Sequence, residues 1–105
     1  MVNNNRNKFF RVLGLTSTVD LLKSIQKGKN QYKDFLVSMG VGTINRRLKQ
    51  LMKLGIIEHH FERKEKRNEW YTLTEKGKEI LEEIMKLENI FEEEVLKTFE
   101  GLNNG

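Results

Sequence analysis

The sequence predicts a mainly α-helical fold with one small β-hairpin and a long carboxy-terminal helix. Three observations carry this expectation. Apolar residues recur at helical spacing in successive short stretches up to Gly55. The β-branched and aromatic runs "IIEHHFE" and "EWYTLT" then flank a charged, proline-free tip. From Glu75 onward one unbroken apolar stripe continues almost to the end of the chain.

The bulk composition narrows the function classes. A chain of 105 residues is one domain's worth. It contains no cysteine, which excludes disulfides, thiolate metal sites and cysteine nucleophiles. No apolar run approaches the ~20 residues that span a bilayer, so no membrane partner is expected. "MVNNNRNKFF" lacks the apolar core and cleavage site of a signal peptide, and the expected location is the cytoplasm. The net charge of +4 is unevenly spread. Met1 to Thr74 holds 15 Lys and Arg against 6 Asp and Glu, a net of +9, whereas Glu75 to the end holds 4 against 9, a net of −5. A basic body joined to an acidic helix suggests a polyanion-binding region and a segment with a different task.

In chain order, "NKFFRVLGL" reads as a short helix carrying Phe9, Phe10, Val12 and Leu13, with Met1 to Asn5 frayed. "TSTVDLLKSIQKG" reads as a second, capped near Ser17 and Asp20, buried through Val19, Leu21, Leu22 and Ile25, and ended at Gly28. "NQYKDFLVSMG" offers Asn30 as a cap, with Tyr32, Phe35, Leu36 and Met39 facing inward. Gly40-Val41-Gly42 is expected to turn the chain through positive φ.

The stretch "VGTINRRLKQLMKLGII" follows. At the helical repeat, Leu48 and Leu51 fall within roughly 40° of Ile44, which defines a narrow buried face. Arg46, Lys49, Gln50 and Lys53 fall between roughly 140° and 240° from it and point outward, flanked by Thr43, Asn45 and Arg47. Gly55 supplies a Schellman-type stop, with Ile56 packing back on Leu51. Two short helices joined by a glycine turn, the second basic on its outer face, form a helix-turn-helix pattern.

The tip of the expected hairpin carries Arg63, Lys64, Lys66 and Arg67 among glutamates, a candidate wing for gripping phosphates. In the terminal helix, with Thr74 as its cap, Ile80, Ile84, Leu87, Phe91, Val95 and Leu102 form a stripe whose steps of 4, 3, 4, 4 and 7 average nearer 3.67 than 3.5. Leu81, Met85, Ile90, Leu96 and Phe99 widen it beyond the needs of a small domain. The surplus suggests a homodimer built on this helix, with help from Phe9 and Phe10.

"KFFRVLGLTSTVDLLKSIQKG", "VGTINRRLKQLMKLGIIE" and "YTLTEKGKEIL" together resemble the successive segments of winged helix-turn-helix transcriptional regulators of the ArsR, MarR and PadR kind, especially small archaeal ones. The resemblance covers about Lys8 to Leu81. It implies a winged helix-turn-helix fold, a recognition helix from Thr43 to Leu54 in the major groove, a wing from Ile56 to Leu73, and dimerisation through terminal helices. Residues 1–74 would then be the DNA-binding region and residues 75–105 the dimerisation helix of the same compact domain. Metal-sensing members bind through cysteine thiolates, which this chain does not have.

The residue chemistry agrees with that implication. Arginine can bond guanine bidentately, asparagine or glutamine can read adenine, and a threonine methyl can touch thymine. Thr43, Asn45, Arg46 and Gln50 are therefore the candidate base readers. Arg47, Lys49 and Lys53 are candidate phosphate contacts, joined by the wing cations and by Asn30 and Gln31 at a helix start. Adjacent His59 and His60 on a strand point to opposite faces, so no metal site is expected, and no cofactor either. No P-loop, GxGxxG, HExxH or GxSxG string is present, and an enzyme is not expected. The expected function is a sequence-specific, dimeric regulator of transcription bound to double-stranded DNA, acting as a repressor; no small-molecule effector can be named. The rival readings are a sequence-indifferent architectural DNA-binding protein and a winged-helix module that binds other proteins.

Overall fold

The computed structural model describes residues 2–104, with side chains described for residues 4–93. Five helices and one hairpin follow in the order α1 (Val2–Leu13), α2 (Thr16–Gln26), α3 (Tyr32–Phe35), α4 (Val41–Lys53), β1 (Ile57–Arg63), β2 (Arg67–Leu73) and α5 (Glu75–Asn104). The strands are antiparallel, in register from Ile57 opposite Leu73 to Arg63 opposite Arg67. The fold is mainly helical, as expected, with the hairpin following the helix-turn-helix and a long last helix.

The core is where the helical stripes meet. Leu21, Leu22 and Ile25 of α2, Phe35 of α3 and Ile44, Leu48 and Leu51 of α4 are all buried. Ile56 and Ile57 close it from the hairpin side, and Leu81 and Ile84 from α5. At roughly 25 cal/mol per Å² of apolar surface removed from water, each of these side chains contributes about 1.5–3 kcal/mol.

Local chemistry sets the element ends. After α2 the Lys29 N–H bonds the Ser24 carbonyl (3.0 Å) and Gly28 takes φ 86°. After α4 the Ile56 N–H bonds the Leu51 carbonyl and the Gly55 N–H bonds that of Met52 (both 3.0 Å), with Gly55 at φ 73°. Both are Schellman endings, in which glycine supplies the left-handed residue without strain.

The start of α5 explains why "TLTEKG" reads as it does. The Thr74 hydroxyl accepts the Gly77 N–H at 2.9 Å and lies 2.7 Å from the Gly55 carbonyl, so one side chain caps α5 and fastens it to the end of α4. Gly77 packs directly on the Ile56 carbonyl, where a Cβ would collide with the oxygen. That oxygen is held by the Thr74 N–H at 3.0 Å.

Several sequence-based expectations need correction. Helix α1 begins at Val2, so Asn4 and Asn5 are helical rather than frayed. Helix α2 has no side-chain cap, because it begins at Thr16 with the apolar Leu15 at the cap position; Ser17 lies inside the first turn and accepts from Arg47. Helix α3 starts after Gln31, whose N–H bonds Asp34 Oδ2 at 3.0 Å, so Asn30 is not its cap. Leu36 is 46% exposed rather than inward, because α3 ends before it. Gly40 is extended and α4 begins at Val41, so positive φ is not used at Gly40 to Gly42.

Candidate nucleic-acid interface

The outward face of α4 is built by subtraction. Once Ile44, Leu48 and Leu51 are buried, Asn45, Arg46, Lys49 and Lys53 must project to solvent, and all four are exposed. Thr43 and Gln50 sit half-buried at its edge. Asn45 is oriented by the Tyr32 hydroxyl of α3, which donates to Asn45 Oδ1 at 2.8 Å. With Oδ1 engaged by Tyr32, the amide N–H₂ of this exposed side chain is the group that remains to donate.

Arg47 departs from expectation. It is 8% exposed, and its guanidinium donates from Nε to Ser17 Oγ at 3.0 Å and from Nη1 to Gln50 Oε1 at 2.6 Å. On the helical wheel Arg47 lies roughly 60° from Ile44, close enough to the buried face for its stem to be covered. It is therefore not positioned as a phosphate contact. It ties α4 to the start of α2 and turns the Gln50 amide.

The helix-turn-helix is also locked to the hairpin. The Tyr71 N–H bonds the Asn30 carbonyl at 2.9 Å, and Gln31 Nε2 donates to Asn68 Oδ1 at 2.9 Å. The Asn30 carbonyl and the Gln31 side chain thus help to position the wing. Helix α3 spans a single turn, too short to present an N-terminal anion site of its own.

At the wing, Arg63, Lys64, Lys66 and Arg67 are all exposed around the tip. Lys64 pairs with Glu62 at 3.2 Å and Arg67 with Glu69 at 3.0 Å, while the Arg67 guanidinium also sits 5.5 Å from the Phe61 ring centre. Behind the tip, His60 stacks on Trp70 and His59 on Tyr71, with ring centres 5.3 and 4.9 Å apart, which stiffens the strands. His59 and His60 do take opposite faces, and among the described residues no group of three or more His, Asp and Glu could hold a metal ion. The Tyr71 hydroxyl is held above its ordinary pKa by burial first, then by the Glu69 carboxylate and by Tyr32.

The expected dimer residues separate into three groups. Ile84 is 9% exposed in the domain's own core, and Phe9 and Ile80 pack against that core. Phe10, Leu87 and Phe91 are exposed at 61%, 66% and 69%. The side chains of Val95 and Leu102 lie outside the described residues. Ile90, at 62%, extends the exposed apolar strip of α5, whereas Met85, at 40%, lies round the helix in the cleft toward α2.

A short helix, a second helix with an outward polar face, a buttressed hairpin and a capped last helix together define a winged helix-turn-helix domain. The chain belongs to the winged helix-turn-helix family, whose sequence model matches residues 16–92. No match was found among curated proteins or among solved structures. Membership points to DNA binding and to a regulator rather than an enzyme. No helix of the described residues is long and apolar enough to cross a membrane.

Proposed function

We propose that the protein is a sequence-specific, double-stranded DNA-binding regulator of transcription that works as a homodimer and represses by occluding promoter DNA. The observation that carries this reading is the outward face of α4, where Arg46 stands beside an Asn45 already oriented by Tyr32. A surface for phosphates alone needs cations; an amide fixed in direction suits the edge of a base. Arg46, Asn45, Gln50 and Thr43 read bases, Lys49 and Lys53 contact phosphates, and Arg63, Lys64, Lys66 and Arg67 of the wing grip the backbone.

The dimer is supported by the exposed apolar strip of Leu87, Ile90 and Phe91 on a helix that continues beyond the core. Two α4 helices set about 34 Å apart would meet successive major grooves.

Selection of bound sequences from a random duplex pool at physiological salt tests the reading. Enrichment of an inverted repeat with half-sites about 10 base pairs apart is expected. Retention without enrichment would make the protein architectural, and no salt-sensitive retention would leave it a protein-binding module.

A further inference from the structure

Helix α1 lies wholly outside the residues matched to the winged helix-turn-helix family. Yet it runs beside the outward face of α4. Between the two lies a cleft of about 570 Å³, in which Lys8 of α1 joins Arg46, Lys49 and Lys53 of α4 over a floor that includes Val12 and Leu54.

Four cations thus share one concave site with no carboxylate in its lining. None of the four takes part in an ion pair among the described residues, whereas Lys64 and Arg67 of the wing each have a glutamate. Two neighbouring clefts make the contrast plainer. The one between α1 and α5, which Lys53 also borders, sets Glu79 among its cations, and the one between α2 and α5 sets Glu82 beside Lys78 and Lys86. Like charges gathered without counter-charge repel one another, and over apolar walls they are screened less than in open water. An oxyanion placed among them relieves that repulsion.

We infer that this α1–α4 cleft seats a backbone phosphate of bound DNA, with Lys8 as its ligand from outside the helix-turn-helix. The inference rests on the DNA-binding reading above and adds α1 to the contact surface. A helix in a major groove about 12 Å wide has rows of phosphates along both rims. Lys49 and Lys53 face neighbouring phosphates of one rim from within the groove-facing helix, and Lys8, on the adjoining helix, neutralises the phosphate seated in the cleft.

The salt dependence of duplex binding by the full chain, measured by fluorescence anisotropy, separates the outcomes. Each phosphate neutralised contributes about 0.9 to the slope of log K against log salt. Lys8→Ala is expected to lower the slope by about that amount per protomer, with Lys8→Arg restoring it, and Lys86→Ala on α5 is expected to leave it unchanged. Lys8 is exposed, so the fold is retained, as a thermal melt would verify. An unchanged slope for Lys8→Ala, with the parent chain still binding DNA, overturns the cleft assignment alone. A parent chain with no salt-sensitive binding removes the DNA-binding reading and this inference with it. Tripolyphosphate titrated by NMR without DNA covers the other source of the same chemistry. If Lys8→Ala abolishes its binding while the slope on DNA stays, the cleft serves a free polyphosphate, and the DNA assignment fails.

Discussion

Along α5, Gly77, Leu81 and Ile84 are sealed into the domain, while a turn or two further on Leu87, Ile90 and Phe91 stand mostly in water. Both stretches carry apolar residues three and four apart. The difference arises from where the rest of the chain ends: α2 and the hairpin cover the helix as far as Ile84, and the Lys23–Glu88 ion pair at 2.9 Å marks the edge of that cover. Periodicity therefore says that a helix has an apolar face, but neighbouring elements decide whether the face is core or is left for a partner.

The sharpest way to break this comparison is to cut the same kind of side chain from each half. Leu81→Ala removes a fully buried leucine and is expected to cost about 2–5 kcal/mol in urea unfolding, because the pocket it vacates is lined by several elements. Phe91→Ala is expected to change the unfolding of the isolated domain by less than about 0.5 kcal/mol and to act instead on self-association. Equal losses would show that the distal strip folds back on its own domain.

Next in size is Gly77→Ala. In an open helix this change would gain about 1 kcal/mol from propensity. Here the new methyl meets the Ile56 carbonyl, which is held by Thr74, so a net loss of about 1–3 kcal/mol is expected by thermal melt. A gain in stability would mean that the start of α5 is free to shift away from the hairpin.

Removal of residues 90–105 tests the distal half as a whole. The cut keeps Leu81, Ile84 and the Lys23–Glu88 pair, so the melting temperature of the remaining domain should change little, while sedimentation should report a monomer at every concentration. A cut after Glu83 would be less informative, because it also takes Ile84 from the core. A truncated chain that remains dimeric would move the interface to α1, where Phe10 is exposed and its ring meets that of Phe9 at 5.1 Å.

How much of this was legible in the sequence follows the range of the interactions. The hairpin, the stop at Gly55, the cap at Thr74 and the buried stripe of α4 depend on residues close in sequence, and local pattern was enough to find them. Arg47 could not be read in the same way. Its burial depends on Ser17, thirty residues away, and on a wheel position between the two faces. The links of the Asn30 carbonyl to Tyr71 and of the Gln31 side chain to Asn68 are hidden for the same reason, since both partners lie across the fold on the second strand. The terminal stripe had the right period, but its division into core and exposed strip depended on how far the other elements reach. The proximity of Lys8 to α4 carries no periodic signal, because it depends on how α1 packs back against α4.

The smallest expected effect belongs to Tyr71, which links the wing to the covered end of the molecule. Its ring packs against Phe35 and His59, and burial is the first cause holding its hydroxyl above the ordinary value of 10.0. A folded-state pKa above the unfolded one means that the folded chain holds this proton more tightly. Its contribution to stability is then complete below pH about 10 and is lost as pH rises through the folded-state value. Tyr71→Phe keeps the ring contacts and removes the titration. The variant should match the parent in urea at neutral pH, then lose stability less steeply in alkali, with the late-titrating component absent from its tyrosinate absorbance. Lys86 is also raised, first by its hydrogen bond to Glu83, but it is fully exposed on the outer side of α5 and should add little to the alkaline slope. If Tyr71→Phe instead left the alkaline unfolding curve of the parent unchanged, the hydroxyl would be reaching water in the folded protein, and the hairpin would sit more loosely on α2 and α3 than its buried face requires.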